Sequence, residues 1–83
     1  MQVYAKRLMY KLKLLFPSHK QHTPSNEYKE TLTYTATIDL YCKHHIACYQ
    51  SSASVIEFET DQDRMLALLA LSGTSSYSVK CLD

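Results

Sequence analysis

The densest reactive string in the chain is Cys42-Lys43-His44-His45-Ile46-Ala47-Cys48, two thiols and two imidazoles within seven residues. A structural zinc ion takes four nitrogen or sulfur ligands in a tetrahedron, usually as two short pairs supplied by separate segments. Here the four candidates, Cys42, His44, His45 and Cys48, crowd into one segment, and no second Cys-x2-Cys or His-x3-His pair completes the set. His19 and His22 join them only if their loop folds back. The string therefore reads as a polar turn with two exposed histidines flanked by buried cysteines, and no metal or other cofactor is expected. A redox-sensitive Cys42–Cys48 disulfide is a further reading of the same residues.

Nucleophilic catalysis needs a thiolate or alkoxide beside a positioned base. Cys42, His44 or His45, and Asp39 are close in sequence, but in the alternating pattern below Asp39 falls on the face opposite Cys42. A phosphate-cradling loop is excluded because the chain has a single glycine, Gly73. No pair of acids sits in an apolar setting that would separate their protonation states. Enzymatic activity is not expected.

The elements that must position these residues are bounded by size. Eighty-three residues make one small domain, 1–83, which buries only about 60–65% of its unfolded surface. Hydrophobic residues at 46% and charged residues at 20% suit a globular fold rather than a disordered chain. Three cysteines are an odd number, whereas small secreted domains carry even disulfide frameworks, so a cytoplasmic protein is expected. The basic beginning lacks a signal-peptide core, since its apolar run is only Leu14-Leu15-Phe16, and no run approaches the roughly 20 apolar residues of a membrane span.

Period-two alternation dominates the first half. Leu8, Tyr10, Leu12, Leu14 and Phe16 alternate with basic residues over Arg7–Phe16, and Pro17 ends that strand. Residues 17–29 are polar, contain both prolines, and read as a long loop. Glu30–Cys42 looks like the clearest strand, with Leu32, Tyr34, Ala36, Ile38, Leu40 and Cys42 opposite Thr31, Thr33, Thr35, Thr37, Asp39 and Tyr41. Lys43–His45 would be a turn, and the chain would return through Ile46–Tyr49, a bulge near Ser51–Ser54, and Val55–Glu59.

A helix over 61–72 follows, with Thr60 as N-cap, Asp61 and Asp63 on its positive end, and Gly73 as left-handed stop. Met65, Leu66, Leu68, Leu69 and Leu71 supply its apolar residues, and Tyr77–Leu82 is the last strand. The predicted fold is α+β, a two-layer sandwich of a mostly antiparallel β-β-β-α-β sheet and one helix. Its last strand runs parallel to the preceding one through a right-handed crossover. One helix about 18 Å long cannot cover four strands spanning about 19 Å by 30 Å. Either the 17–29 loop or another chain must close that apolar face, and a second chain is expected because the loop offers only Tyr28 and two prolines as apolar material.

Seven tyrosines, a type enriched at interfaces, favour a protein-binding module. The expected function is a small regulator or inhibitor that occludes a partner's surface as a homodimer, of the kind phages and mobile elements encode. Lys11, Lys13, His19, Lys20, His22, Tyr28, Lys43, His44 and His45 are its candidate partner-binding residues. The alternative is nucleic-acid binding. Residues 1–20 carry Lys6, Arg7, Lys11, Lys13 and Lys20 without an acid, +5, against −4 for the remainder. Strand-face aromatics for base stacking are missing from the open side in this reading, which places tyrosines 10, 34 and 77 in the buried phase.

Overall fold

The computed structural model describes residues 10–17 and 24–82. It is an α+β domain in two layers, with one antiparallel four-stranded sheet and two helices on a single face. The elements follow in the order β1 (Tyr10–Leu15), α1 (Asn26–His44), β2 (Cys48–Ser52), β3 (Val55–Phe58), α2 (Asp61–Leu71) and β4 (Ser78–Leu82).

β1 alternates as expected. Leu12 and Leu14 are buried toward the helices, while Lys11 and Lys13 lie on the other face. Phe58 and Ile56 on β3 sit opposite Tyr10 and Leu12, and Cys81 and Val79 on β4 sit opposite Leu12 and Leu14. The strand order is β2-β3-β1-β4, so β1 lies between β3 and β4 and is antiparallel to both. β3 and β4 therefore run in the same direction, as expected of strands joined by a helical crossover. This is the split β-α-β arrangement of ferredoxin-like folds, which specifies an architecture and no activity. The expected bulge is present, between Gln50 and Ser52 of β2.

The largest correction concerns Glu30–Cys42, which is helical rather than extended and lies within α1. The period-two pattern conceals a helical one. Leu32, Ala36 and Leu40 are every second apolar residue of the alternation, and a spacing of four puts them on one face of a helix. Ala36 and Leu40 are in the core, and Thr33 beside them is completely buried. The remaining apolar alternates, Tyr34, Ile38 and Cys42, point away and are exposed. Thr33 is buried at no net loss of hydrogen bonding, because its hydroxyl donates to the Ala53 carbonyl in the β2–β3 turn at 2.7 Å. Thr33→Val keeps the shape and removes the donor, so we expect it to cost about 1–3 kcal/mol by leaving that carbonyl unpaired. Urea unfolding measures the loss, with the exposed Thr35→Val as control.

Local capping makes the helix possible. Ser25 is the N-cap, its hydroxyl accepting from the Tyr28 N–H at 3.2 Å, so the expected 17–29 loop ends four residues early. The expected Lys43–His45 turn is also redrawn, since Lys43 and His44 form the last turn of α1. His45 adopts the left-handed conformation (φ 58°), and the Ile46 N–H donates back to the Leu40 carbonyl at 3.0 Å. Ile46 is thereby buried in the same core as Leu40, the hydrophobic closure of a Schellman-type end. The left-handed residue expected at Gly73 is not there, because Gly73 has an ordinary negative φ and α2 ends through Ser72.

α2 starts as expected, with the Thr60 hydroxyl accepting from the Asp63 N–H at 3.0 Å. Arg64 fastens it to the sheet. Its guanidinium donates to Asp61 Oδ1 at 2.6 Å and to the Leu82 carbonyl at 3.1 Å, and lies 5.4 Å from the centre of the Tyr10 ring. α1 packs chiefly over β2, with some contact to β3, and α2 packs over β1, β4 and β3. Two helices of one chain therefore cover the apolar face of the sheet. The shortfall in cover expected from a single helix arises from reading α1 as a strand.

Candidate functional site

The candidate residues do not converge on one site. Lys11 and Lys13 lie half-buried on the sheet face away from both helices. Lys43 is exposed at the far end of α1, 4.0 Å from Asp39, a surface pair that contributes little to stability. His44 and His45 are exposed beside it. Tyr28 stands at the other end of α1, where its ring meets the edge of Phe16, which in turn meets Tyr77. His19, Lys20 and His22 lie outside the described residues.

The Cys–His string is pulled apart by the fold. Cys42 is exposed on α1, whereas Cys48 on β2 points at α1 with its Sγ 3.7 Å from the Thr37 carbonyl. All three cysteines are free thiols. Among the described residues, no three His, Cys, Asp or Glu side chains gather closely enough to hold a metal ion. Burial, and then the negative charge of Asp63, push the Cys48 thiol up from its ordinary 9.0 to about 11. Burial followed by Asp39 raises the Tyr77 hydroxyl in the same direction.

These shifts have a definite sign. Both groups hold their protons more tightly folded than unfolded; the Cys48 contribution is complete below pH 9 and is lost as pH rises through about 11, and that of Tyr77 is likewise lost toward alkaline pH. We expect the urea midpoint to fall across that interval, and to fall less in Cys48→Ser. Alkylation followed by mass mapping should modify Cys42 first and leave Cys48 largely unmodified near neutral pH. Equal labelling of the two thiols would contradict this environment for Cys48.

What the fold brings together instead is apolar surface on the outside of the helices. In α2 the small residue Ala67 is fully buried with Leu71, while Met65, Leu66 and Leu69 are 46%, 48% and 72% exposed. The five large apolar residues expected to form one stripe are split, with only Leu68 and Leu71 turned toward the core. In α1, Tyr34, Ile38 and Tyr41 are 58%, 41% and 61% exposed, at the i, i+4, i+7 spacing of a single face. A signal for α2 is present in the sequence. Met65–Leu71 is apolar at every position, which is more than one buried face can hold. The α1 surface is hidden by the same alternation that mimics a strand.

The other sheet face carries a basic cluster. Lys13 stands directly opposite Lys80, with Lys11 two residues along the same strand. Lys11 is also opposite Glu57, the acid that the cross-strand register supplies. Tyr49 lies on this face at the β2 edge, opposite Glu57 on its other side. Among the described residues no helix is long and apolar enough to cross a membrane. No family model, curated protein or solved structure matches the chain.

Proposed function

We propose that this chain is a small protein-binding regulator or inhibitor, not an enzyme, that occludes a partner's surface with the outer face of α2. The observation that carries this reading is the large apolar surface left on the outside of that helix. A monomeric amphipathic helix turns its large apolar residues inward. This one turns Leu68 and Leu71 inward with Ala67, and still leaves Met65, Leu66 and Leu69 exposed on the outside. Exposed apolar surface of this kind marks interaction sites, and three large anchors within one turn suit insertion into a hydrophobic groove. A cytoplasmic setting of the phage or mobile-element type accords with the free thiols and small size.

The test is a photo-crosslinking side chain placed at Leu69 and, separately, at Lys13, in cells that carry the full-length chain natively. We expect a protein to be captured from Leu69 and not from Lys13, and the capture to be lost when Leu66→Glu is added. Capture from Lys13 alone, or from neither position, would overturn the reading. Because Leu66 and Leu69 are exposed, their substitution is expected to leave folding within about 0.5 kcal/mol of the starting protein.

The Lys13–Lys80 pair favours a second reading. Like charges directly opposite each other across strands are destabilising, and a polyanion lying along the open face would relieve that cost. Nucleic acid is the corresponding partner, held by Lys11, Lys13 and Lys80 with Tyr49 available for stacking. Anisotropy titration with short DNA and RNA at about 50 mM salt tests it, and absence of binding there removes it.

A further inference from the structure

We infer that the flank of the domain formed by α1 and β2 binds a second copy of this chain, as a two-fold pair that extends the sheet from four strands to eight. The inference deepens the protein-binding reading but uses a different surface, so the two stand or fall separately. β2 is an edge strand, and its residues Cys48–Ser52 include no charged side chain and no proline. Natural edges are normally blunted by lysine, proline, bulges or cover. Here, among the described residues, the devices are the bulge between Gln50 and Ser52 and the shortness of the strand, and Cys48–Gln50 stays regular. An antiparallel pairing of β2 with its own copy is self-complementary and has no like charges to oppose it.

The exposed row of α1 adjoins this edge. Tyr34 shares one shallow hollow with Gln50 of β2, and the Gln50 side chain donates to the Glu30 carbonyl of α1 at 3.3 Å. Glu27, Glu30, Tyr34, Ile38 and Tyr41 follow one another at three- and four-residue steps within α1, and so lie in one row along about four turns. The row matches its own reverse. When two copies lie antiparallel about a two-fold axis near Ile38, Tyr34 of each meets Tyr41 of the other, and the end of α1 that carries Glu27 and Glu30 lies toward the end that carries Lys43 and His44 in the other copy. The acidic end thus faces the basic end, and the apolar middle faces itself. A partner of unrelated sequence has no reason to match both the helical row and the strand edge in one orientation, whereas a second copy matches both by symmetry.

The experiment is light scattering on the full chain, with oxidative crosslinking as the geometric readout. A mass of twice 9.6 kDa is expected at high micromolar concentration. Ile38→Asp should return it to a single chain with an unchanged circular dichroism spectrum. In a Cys42→Ser background, Ile38→Cys should oxidise rapidly to a covalent dimer because position 38 lies near the axis, and Leu69→Cys should not. A strict monomer at that concentration overturns the inference, as does a dimer that crosslinks through position 69 but not 38. A monomer that still captures a protein from Leu69 would remove the dimer and leave the protein-binding reading intact. A dimer that captures nothing would do the reverse.

Discussion

Phe58→Ala is expected to destabilise the domain by about 3–5 kcal/mol, the largest effect of any single truncation. Phe58 is completely buried on β3, between β1 and β2, with Tyr10 and Cys48 as its cross-strand neighbours. Its ring lies among the core residues contributed by the sheet and both helices. Removing it deletes the transfer energy of the ring and leaves a cavity that three regular elements cannot close. A domain of this size has a total stability at the low end of about 5–15 kcal/mol, so the variant sits near its unfolding limit. A fall in Tm of more than about 12 °C should be seen by circular dichroism. A loss below about 1.5 kcal/mol would place Phe58 outside the core.

Leu40→Ala is the second large expectation, and it bears directly on the conformation of residues 26–44. Leu40 is fully buried where α1 crosses the sheet, and its carbonyl also accepts the closing bond from Ile46. Truncation is expected to cost about 2–5 kcal/mol. Cys42→Ser is the matched control. An extended segment would place positions 40 and 42 on the same buried face, and both substitutions would then be costly. In a helix they lie far apart around the axis, and exposed Cys42 should tolerate serine within about 0.5 kcal/mol. Comparable losses at the two positions would contradict the helix.

β1, β3, α2 and β4 are legible in the sequence because each combines one unambiguous period with punctuation at its ends. Lys11 and Lys13 alternate with Leu12 and Leu14, and Thr60 and Asp63 announce α2 before its first apolar residue, Met65, is reached. The α+β class, the antiparallel sheet and the bulge follow from such local signals. α1 resists the same treatment. Threonine at positions 31, 33, 35 and 37 has strand propensity, and the apolar alternates satisfy both a period of two and a spacing of four. Which one is realised depends on whether Ser25 can cap a helix and whether Ile46 can bury against Leu40 after it.

Composition and patterning by themselves indicate an α+β fold with a sheet that is basic on its first strand, and with more apolar residues than one face can bury. Tertiary structure alone decided where the excess goes. Once α1 supplies the second covering helix, both helices pack on the same face of the sheet, and the unburied side chains are left on the outside of α1 and α2. The physical reason is geometric. A helix of given sequence can turn any of its faces to the sheet, and the choice is made by which side chains fit the space between the layers. In α2 that space admits Ala67 and Leu71, and Met65, Leu66 and Leu69 are left facing outward.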